Sequence, residues 1–344
     1  MSFRIGLTPD LSDGKGGFAW GEIPIEILPS DSWNFLPQVG PNFSPKDVNE
    51  YEAICFAAPG VIPGSFPEPE NSPLILARLG VGYDNIDLAE LNRAGVALTI
   101  TPDGSKQPVA TAALTLILST MHKINAKNKL LVSGNWKERL SAGLGSSLNG
   151  KTVGVIGYGN IASELFRLIQ PFNCKHLAYD PWKTPEDGKS QNVHLVSLSE
   201  LLINSDVVVV MAILTPETKH LIDLAKLTLM KPNSFLINIS RGPIVKESDL
   251  VIALQEKIIA GAGLDVFEVE PLSVESELVG MDNVVATPHN LAWTDLLGYG
   301  MSKSAFESIM KISRGEIPHF VVNKEVLETP KFKDKMTKVL NGTK

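Results

Sequence analysis

The chain has 344 residues, 44% of them hydrophobic and 20% charged, which excludes a disordered protein and exceeds one typical core, so two domains are expected. A formal net charge of −7, with basic residues spread out except in a lysine-rich end, excludes a nucleic-acid or membrane-surface footprint and leaves a small-molecule partner. Cys55 and Cys174 are far apart and fit neither a disulfide framework nor a metal site, and no leader or membrane span is read, so a reducing, cytoplasmic setting is expected.

From Phe3 to about Ile100, short apolar runs (Ile5 to Leu7, Ala53 to Ala58, Leu74 to Leu76, Val96 to Ile100) alternate with segments rich in Gly, Pro and Asp. This reads as a small α/β unit with long loops. Ser44 is placed to cap a helix opened by Pro45, and Asp87 to cap Leu88 to Ala94, which Gly95 ends. Pro108 opens an apolar helix that runs to about Val132 and is expected to be buried. Asn149-Gly150 then turns into a strand over Thr152 to Ile156. Further strands at Lys175 to Tyr179, Val207 to Ala212, Ser234 to Ile239, Ala260 to Leu264 and Val284 to Ala286 alternate with helices. Such alternation implies right-handed crossovers and a parallel sheet covered on both faces. A helix over Asp295 to Ser313 follows, and the end containing Lys324, Lys331, Lys333, Lys335 and Lys338 reads as a solvated tail.

The strand over Thr152 to Ile156 runs into Gly157-Tyr158-Gly159-Asn160-Ile161-Ala162 and then a helix, the context a dinucleotide fingerprint demands. Gly157 permits the tight turn, Gly159 lets backbone approach a pyrophosphate at the helix N-terminus, and a small Ala162 suits helix packing on the strand. Asp180 ends the next strand, placed to accept the ribose hydroxyls and to repel a 2′-phosphate, which favours NAD over NADP.

Three polar residues sit just past later strands: Arg241 after Leu236 to Ile239, Glu270 after Leu264, and His289 after Val284 to Ala286. Ligands of open parallel sheets bind beyond the carboxyl ends of the strands, so the three are expected to converge. Carbonyl reduction by hydride needs a fixed guanidinium for a carboxylate and the carbonyl, and an imidazole to exchange the proton. Glu270 supplies a carboxylate that orients His289 and favours its protonated form. His122, His176, His194, His220 and His319 read as structural.

Over roughly residues 75 to 327 the chain resembles the D-isomer-specific 2-hydroxyacid dehydrogenases. The resemblance rests on Arg78-Leu79-Gly80-Val81-Gly82-Tyr83-Asp84-Asn85-Ile86-Asp87, the glycine loop, Leu214-Thr215-Pro216-Glu217-Thr218, Asn238-Ile239-Ser240-Arg241-Gly242, Gly263-Leu264-Asp265-Val266-Phe267-Glu268-Val269-Glu270-Pro271 and Thr287-Pro288-His289. It implies a homodimer of two-domain α/β subunits. A Rossmann-type, doubly wound NAD-binding domain over 105–291 is inserted into a smaller flavodoxin-like substrate domain over 1–104 and 292–344. It further implies that the Val81 and Gly82 amides hold the substrate carboxylate with Arg241, and that Val109, Ile239 and Asp265 border the nicotinamide, Asp265 taking its carboxamide. Ala212, Leu214 and Pro216 would line the adenine side, with Ser240 and His289 also among the cofactor contacts.

The chain departs from the family pattern at Val109-Ala110-Thr111, at Lys246 and at Asn290-Leu291-Ala292-Trp293. The first two departures are expected to affect packing; Trp293, with Phe18 and Trp20, either narrows the pocket or packs at an interface. The expected function is hydride transfer between NADH and a small 2-keto acid such as glyoxylate or hydroxypyruvate, or a larger one. Alternatives are phosphite or formate oxidation in the same fold, the latter disfavoured because formate dehydrogenases carry glutamine where Glu270 stands, and a corepressor-like NAD sensor.

Overall fold

A computed structural model describes residues 3–342. Its contacts divide the chain into two compact units, one made of the residues up to Ser105 together with those from Trp293 onward, the other of Lys106–Ala292.

The first unit contains the strands β1 (Ile5–Leu7), β2 (Trp33–Phe35), β3 (Ala53–Phe56), β4 (Ile75–Arg78) and β5 (Ala97–Thr99). They lie in the order β2-β1-β3-β4-β5 with every pair parallel, the flavodoxin-like arrangement. β3 is buried along its whole length, as a strand covered on both faces must be, and Phe43, Phe56, Phe66 and Leu91 fill one side. Asp87 caps the helix Leu88–Ala94 by accepting the Glu90 N–H at 3.0 Å, and Gly95 ends it at φ 66°. The edge strands β2 here and β8 (Val193–Leu195) in the second unit are not marked in the sequence, because each has a polar residue, Asn34 or His194, at its centre and so no apolar run.

The lysine-rich end is not a solvated tail. Residues Pro330–Gly342 form a helix whose Phe332 and Lys335 are buried. Lys335 Nζ donates to Ala94 O (2.7 Å), Ser72 Oγ (2.5 Å), Pro73 O and Gly95 O (both 3.2 Å), and Lys331 Nζ donates to Arg93 O (3.0 Å). The carbonyls at the end of Leu88–Ala94 thus receive the donors that a helix C-terminus lacks.

The second unit contains β6 (Thr152–Ile156), β7 (Lys175–Tyr179), β8 (Val193–Leu195), β9 (Val207–Val210), β10 (Phe235–Asn238), β11 (Gly261–Leu264) and β12 (Val284–Ala286). Their order is β12-β11-β10-β9-β6-β7-β8, again all parallel. The chain winds outward from β6 in both directions, so the switch point falls between β6 and β9, where a doubly wound sheet opens its ligand crevice. The helix expected from Pro108 to Val132 starts at Pro102 and ends at Met121, with Pro108 inside it, and a second helix follows at Ile124–Val132. Only the first buries a face, through Ala110, Ala113, Leu116, Ile117 and Met121; the second has no buried residue. Among the described residues no helix is long and apolar enough to cross a membrane.

Candidate active site

Gly157 has φ 92°, and a Cβ there would lie 2.6 Å from the backbone of Ala212, so both conformation and space require glycine. Gly159 stands at the N-cap of the helix Asn160–Ile169 and makes no side-chain cap. A Cβ on Gly159 would meet nothing within 4 Å, so the helix N-terminus faces open space in which backbone N–H groups can receive an anion. Ala162 is buried where helix meets strand.

Asp180, at the end of β7, is held by the loop it serves: Tyr158 N–H donates to Oδ2 and Trp182 N–H to Oδ1, each at 2.9 Å. Each oxygen keeps a further lone pair, so the fixed carboxylate still accepts from a vicinal diol. Tyr158 and Ser163 hydroxyls both donate to Gln191 Oε1, at 2.9 and 2.8 Å, which steadies the loop from outside. Burial, and then the charge of Asp187, raise the Tyr158 phenol above its usual range, so it serves as a donor. These features fit a dinucleotide. Ala212, Leu214 and Pro216 lie on the loop after β9, where Ser240 Oγ bonds Ala212 O and Thr218 closes the turn by donating to Ile213 O at 2.7 Å.

Arg241 follows β10 on a turn fixed by buried Asn238, whose Nδ2 donates to Arg241 O (3.0 Å) while its Oδ1 accepts from Ser240 N–H (3.2 Å). No feature of the sequence singles out Asn238 for this work. Gly242 admits no side chain, since a Cβ would lie 1.9 Å from the Phe267 carbonyl.

Glu270 and His289 are brought together: Oε2 lies 2.7 Å from Nδ1. An ionised carboxylate only accepts, so Nδ1 carries the hydrogen and Nε2 is the ring nitrogen free to face a reactant. The second Glu270 oxygen accepts the Phe267 N–H at 3.0 Å, closing the turn. Burial raises the Glu270 carboxyl, but the bonds from His289 and the Phe267 N–H, with the charges of His289 and Arg241, outweigh it and hold the group below the usual range. His289 has φ 52°, a left-handed conformation fixed partly by Asp265. Asp265 Oδ1 accepts from Thr287 Oγ1 (2.7 Å), Asn290 N–H (3.1 Å) and Leu291 N–H (3.2 Å), bracketing the histidine on both sides. Burial raises the Asp265 carboxyl above its usual range despite these donors.

Ile239 is buried between Asn238 and Ser240, and Val109 is half-buried on the helix Pro102–Met121. Val81 and Gly82 belong to the first unit, on the loop after β4, whose Gly80 N–H donates to Thr101 Oγ1 at 2.9 Å. In the same unit Phe18 packs on Trp33 and Phe35, and Trp20 lies 4.7 Å from Trp293 between ring centroids. Lys246 pairs with Asp249 at 3.0 Å, a local role.

A fold of this kind, with a glycine loop and a histidine–carboxylate pair past the strand ends, defines a nicotinamide-dependent oxidoreductase. Residues 114–290 match the family described as "D-isomer specific 2-hydroxyacid dehydrogenase, NAD binding domain". The chain is 40% identical over 262 residues to a glyoxylate reductase of Thermococcus onnurineus, covering 75% of this chain and 78% of that one. It is 35% identical over 267 residues to glyoxylate/hydroxypyruvate reductase B of Enterobacter agglomerans, covering 77% and 83%. Among solved structures, a D-lactate dehydrogenase of Aquifex aeolicus complexed with NAD and lactic acid matches with a TM-score of 0.79 at 26% identity, over 93% of this chain and 99% of that one. The chain belongs to the D-isomer-specific 2-hydroxyacid dehydrogenases, and its cofactor is NAD.

Proposed function

We propose that this dehydrogenase reduces small 2-keto acids of the glyoxylate and hydroxypyruvate type, with His289 as the general acid. The observation that carries the reading is the 2.7 Å contact of Glu270 with His289 Nδ1, under the charge of Arg241. The names of relatives at 35 and 40% identity support the substrate class. NADH, when bound, supplies the hydride. Arg241 pairs with the substrate carboxylate and draws charge toward the carbonyl oxygen as it becomes negative. His289 Nε2 gives that oxygen its proton, and Glu270 stabilises the imidazolium from the other edge. The glycine loop and the helix start at Asn160 hold the pyrophosphate, and Asp180 the ribose.

A homodimer is proposed as well. Leu131, Val132, Trp136, Leu140 and Leu144 are each more than half exposed within one stretch of the second unit, and apolar side chains exposed together in this way suit an association surface.

The test is NADH oxidation by the purified enzyme over a panel of 2-keto acids, with formate and phosphite assayed in the reverse direction. Turnover of glyoxylate or hydroxypyruvate is expected, and His289→Ala and Arg241→Ala are each expected to lose roughly 100-fold or more in kcat/KM. Tight NADH binding without turnover of any of these compounds defeats the proposal.

A further inference from the structure

The second unit holds a second histidine–carboxylate pair. His220 Nε2 bonds Glu268 Oε1, and both residues belong to loops that carry or abut Arg241 and Glu270. His220 N–H donates to Pro243 O (2.7 Å), two residues past Arg241. The pairing continues as Ile222 N–H donates to Ile244 O (3.1 Å) and Lys246 N–H to Ile222 O (2.8 Å). Glu268 N–H in turn donates to Glu247 Oε2 at 3.0 Å. His220 has φ 53°, a left-handed backbone that a non-glycine residue keeps only where its surroundings fix it. The side chain is thus held at both its backbone and its ring.

We propose that His220 and Glu268 are positioning residues for the acid–base pair. Glu268 stands two residues before Glu270 on one short turn. Its bond to His220 anchors this turn at Glu268, while Glu270 accepts the Phe267 N–H with one oxygen and faces His289 with the other. The same pair joins the turn carrying Glu270 to the turn carrying Arg241, through His220 N–H and Pro243 O. This inference rests on the reading of His289 and Glu270 given above.

The test compares H220A, H220Q, E268A and the double variant H220A/E268A with H289A in kcat, KM and the pH profile of glyoxylate reduction. NADH affinity is read separately from protein fluorescence. Because small misplacements of reacting groups are costly, H220A and E268A are each expected to lower kcat roughly 10- to 100-fold. The alkaline limb of the profile should move to lower pH, with NADH affinity within about twofold of wild type. H220Q, whose amide reaches Glu268, restores most of the loss, and the double variant is no worse than either single one. Wild-type kcat and profile in H220A and E268A overturn the proposal, as does an equal loss in H220A and H220Q with the profile unmoved. Turnover surviving in H289A overturns the acid–base reading itself, whereas an inactive H289A beside normal H220A and E268A overturns only the positioning role.

Discussion

Glu270 must remain an anion while partly withdrawn from water. Burial alone would favour its protonated form, yet two hydrogen bonds and two nearby positive charges reverse the balance. A folded-state carboxyl lowered in this way contributes stability above the ordinary glutamate range, and that contribution is lost as pH falls through the folded value. Glu270→Gln keeps the shape and removes the charge that favours the imidazolium. Its reduction profile is expected to lose its alkaline side at lower pH than wild type, with kcat down roughly tenfold or more at neutral pH. Coincident profiles of kcat/KM against pH would contradict the role. The proposed ribose contact of Asp180 invites a separate test, because Tyr158 and Trp182 amides fix its carboxylate. Asp180→Ala is expected to weaken NADH roughly tenfold, the worth of about 1.4 kcal/mol, and to narrow the gap between NADH and NADPH. Equal KM values for the two cofactors in wild type would remove that argument. At this scale the sequence placed Arg241, Glu270 and His289 past strand ends, and the structure brings Glu270 to His289. Asn238, His220 and Glu268 were not legible, since their partners are fixed only by the folding of separate loops.

Elements were legible where a period or a cap marked them. Asp87 and Gly95 bound their helix as expected, and the valine run of β9 is buried throughout. Pro108 misled, because proline is a start signal by frequency while Pro102 takes that place here. The C-terminal lysines misled for another reason: charge runs read as solvated, but the stem of Lys335 reaches inward and its ammonium finds three carbonyls and a hydroxyl. Burial, with the charges of Lys331 and Lys338, pushes Lys335 down to about 7, against the pull of Glu70. Its unfolded counterpart holds the proton to about pH 10.4, so between these values the unfolded chain binds more protons and stability rises with pH. Melting of wild type against Lys335→Met from pH 7 to 9.5 is therefore expected to show wild type gaining, by at most about 1.4 kcal/mol per pH unit. A constant difference would mean that the carbonyls keep the ammonium charged.

At the scale of the whole molecule, alternation of strands and helices made two parallel α/β units readable, since a βαβ crossover leaves few topologies. The two strand orders are a further outcome of folding that the rule narrows without fixing. Less readable was the surface. The helix expected to be buried as far as Val132 is exposed in its second part, where Leu131 is 59% and Val132 79% exposed, and the residues after it leave Leu140 82% exposed. Burying one such side chain is worth about 1.5 to 3 kcal/mol, so several together supply a substantial part of a stable association. In the proposed homodimer, two-fold symmetry would place this stretch against its own copy, so that each contact would occur twice. Val132→Asp with Leu140→Asp is then expected to shift the sedimenting mass from two chains to one, because charges buried in a self-complementary interface would be unpaired on both sides. Circular dichroism of the variant should stay that of the folded wild type, as neither side chain packs in a described core. A wild-type protein that sediments as one chain at micromolar concentration would refute the dimer, and a variant still sedimenting as two would place its interface elsewhere.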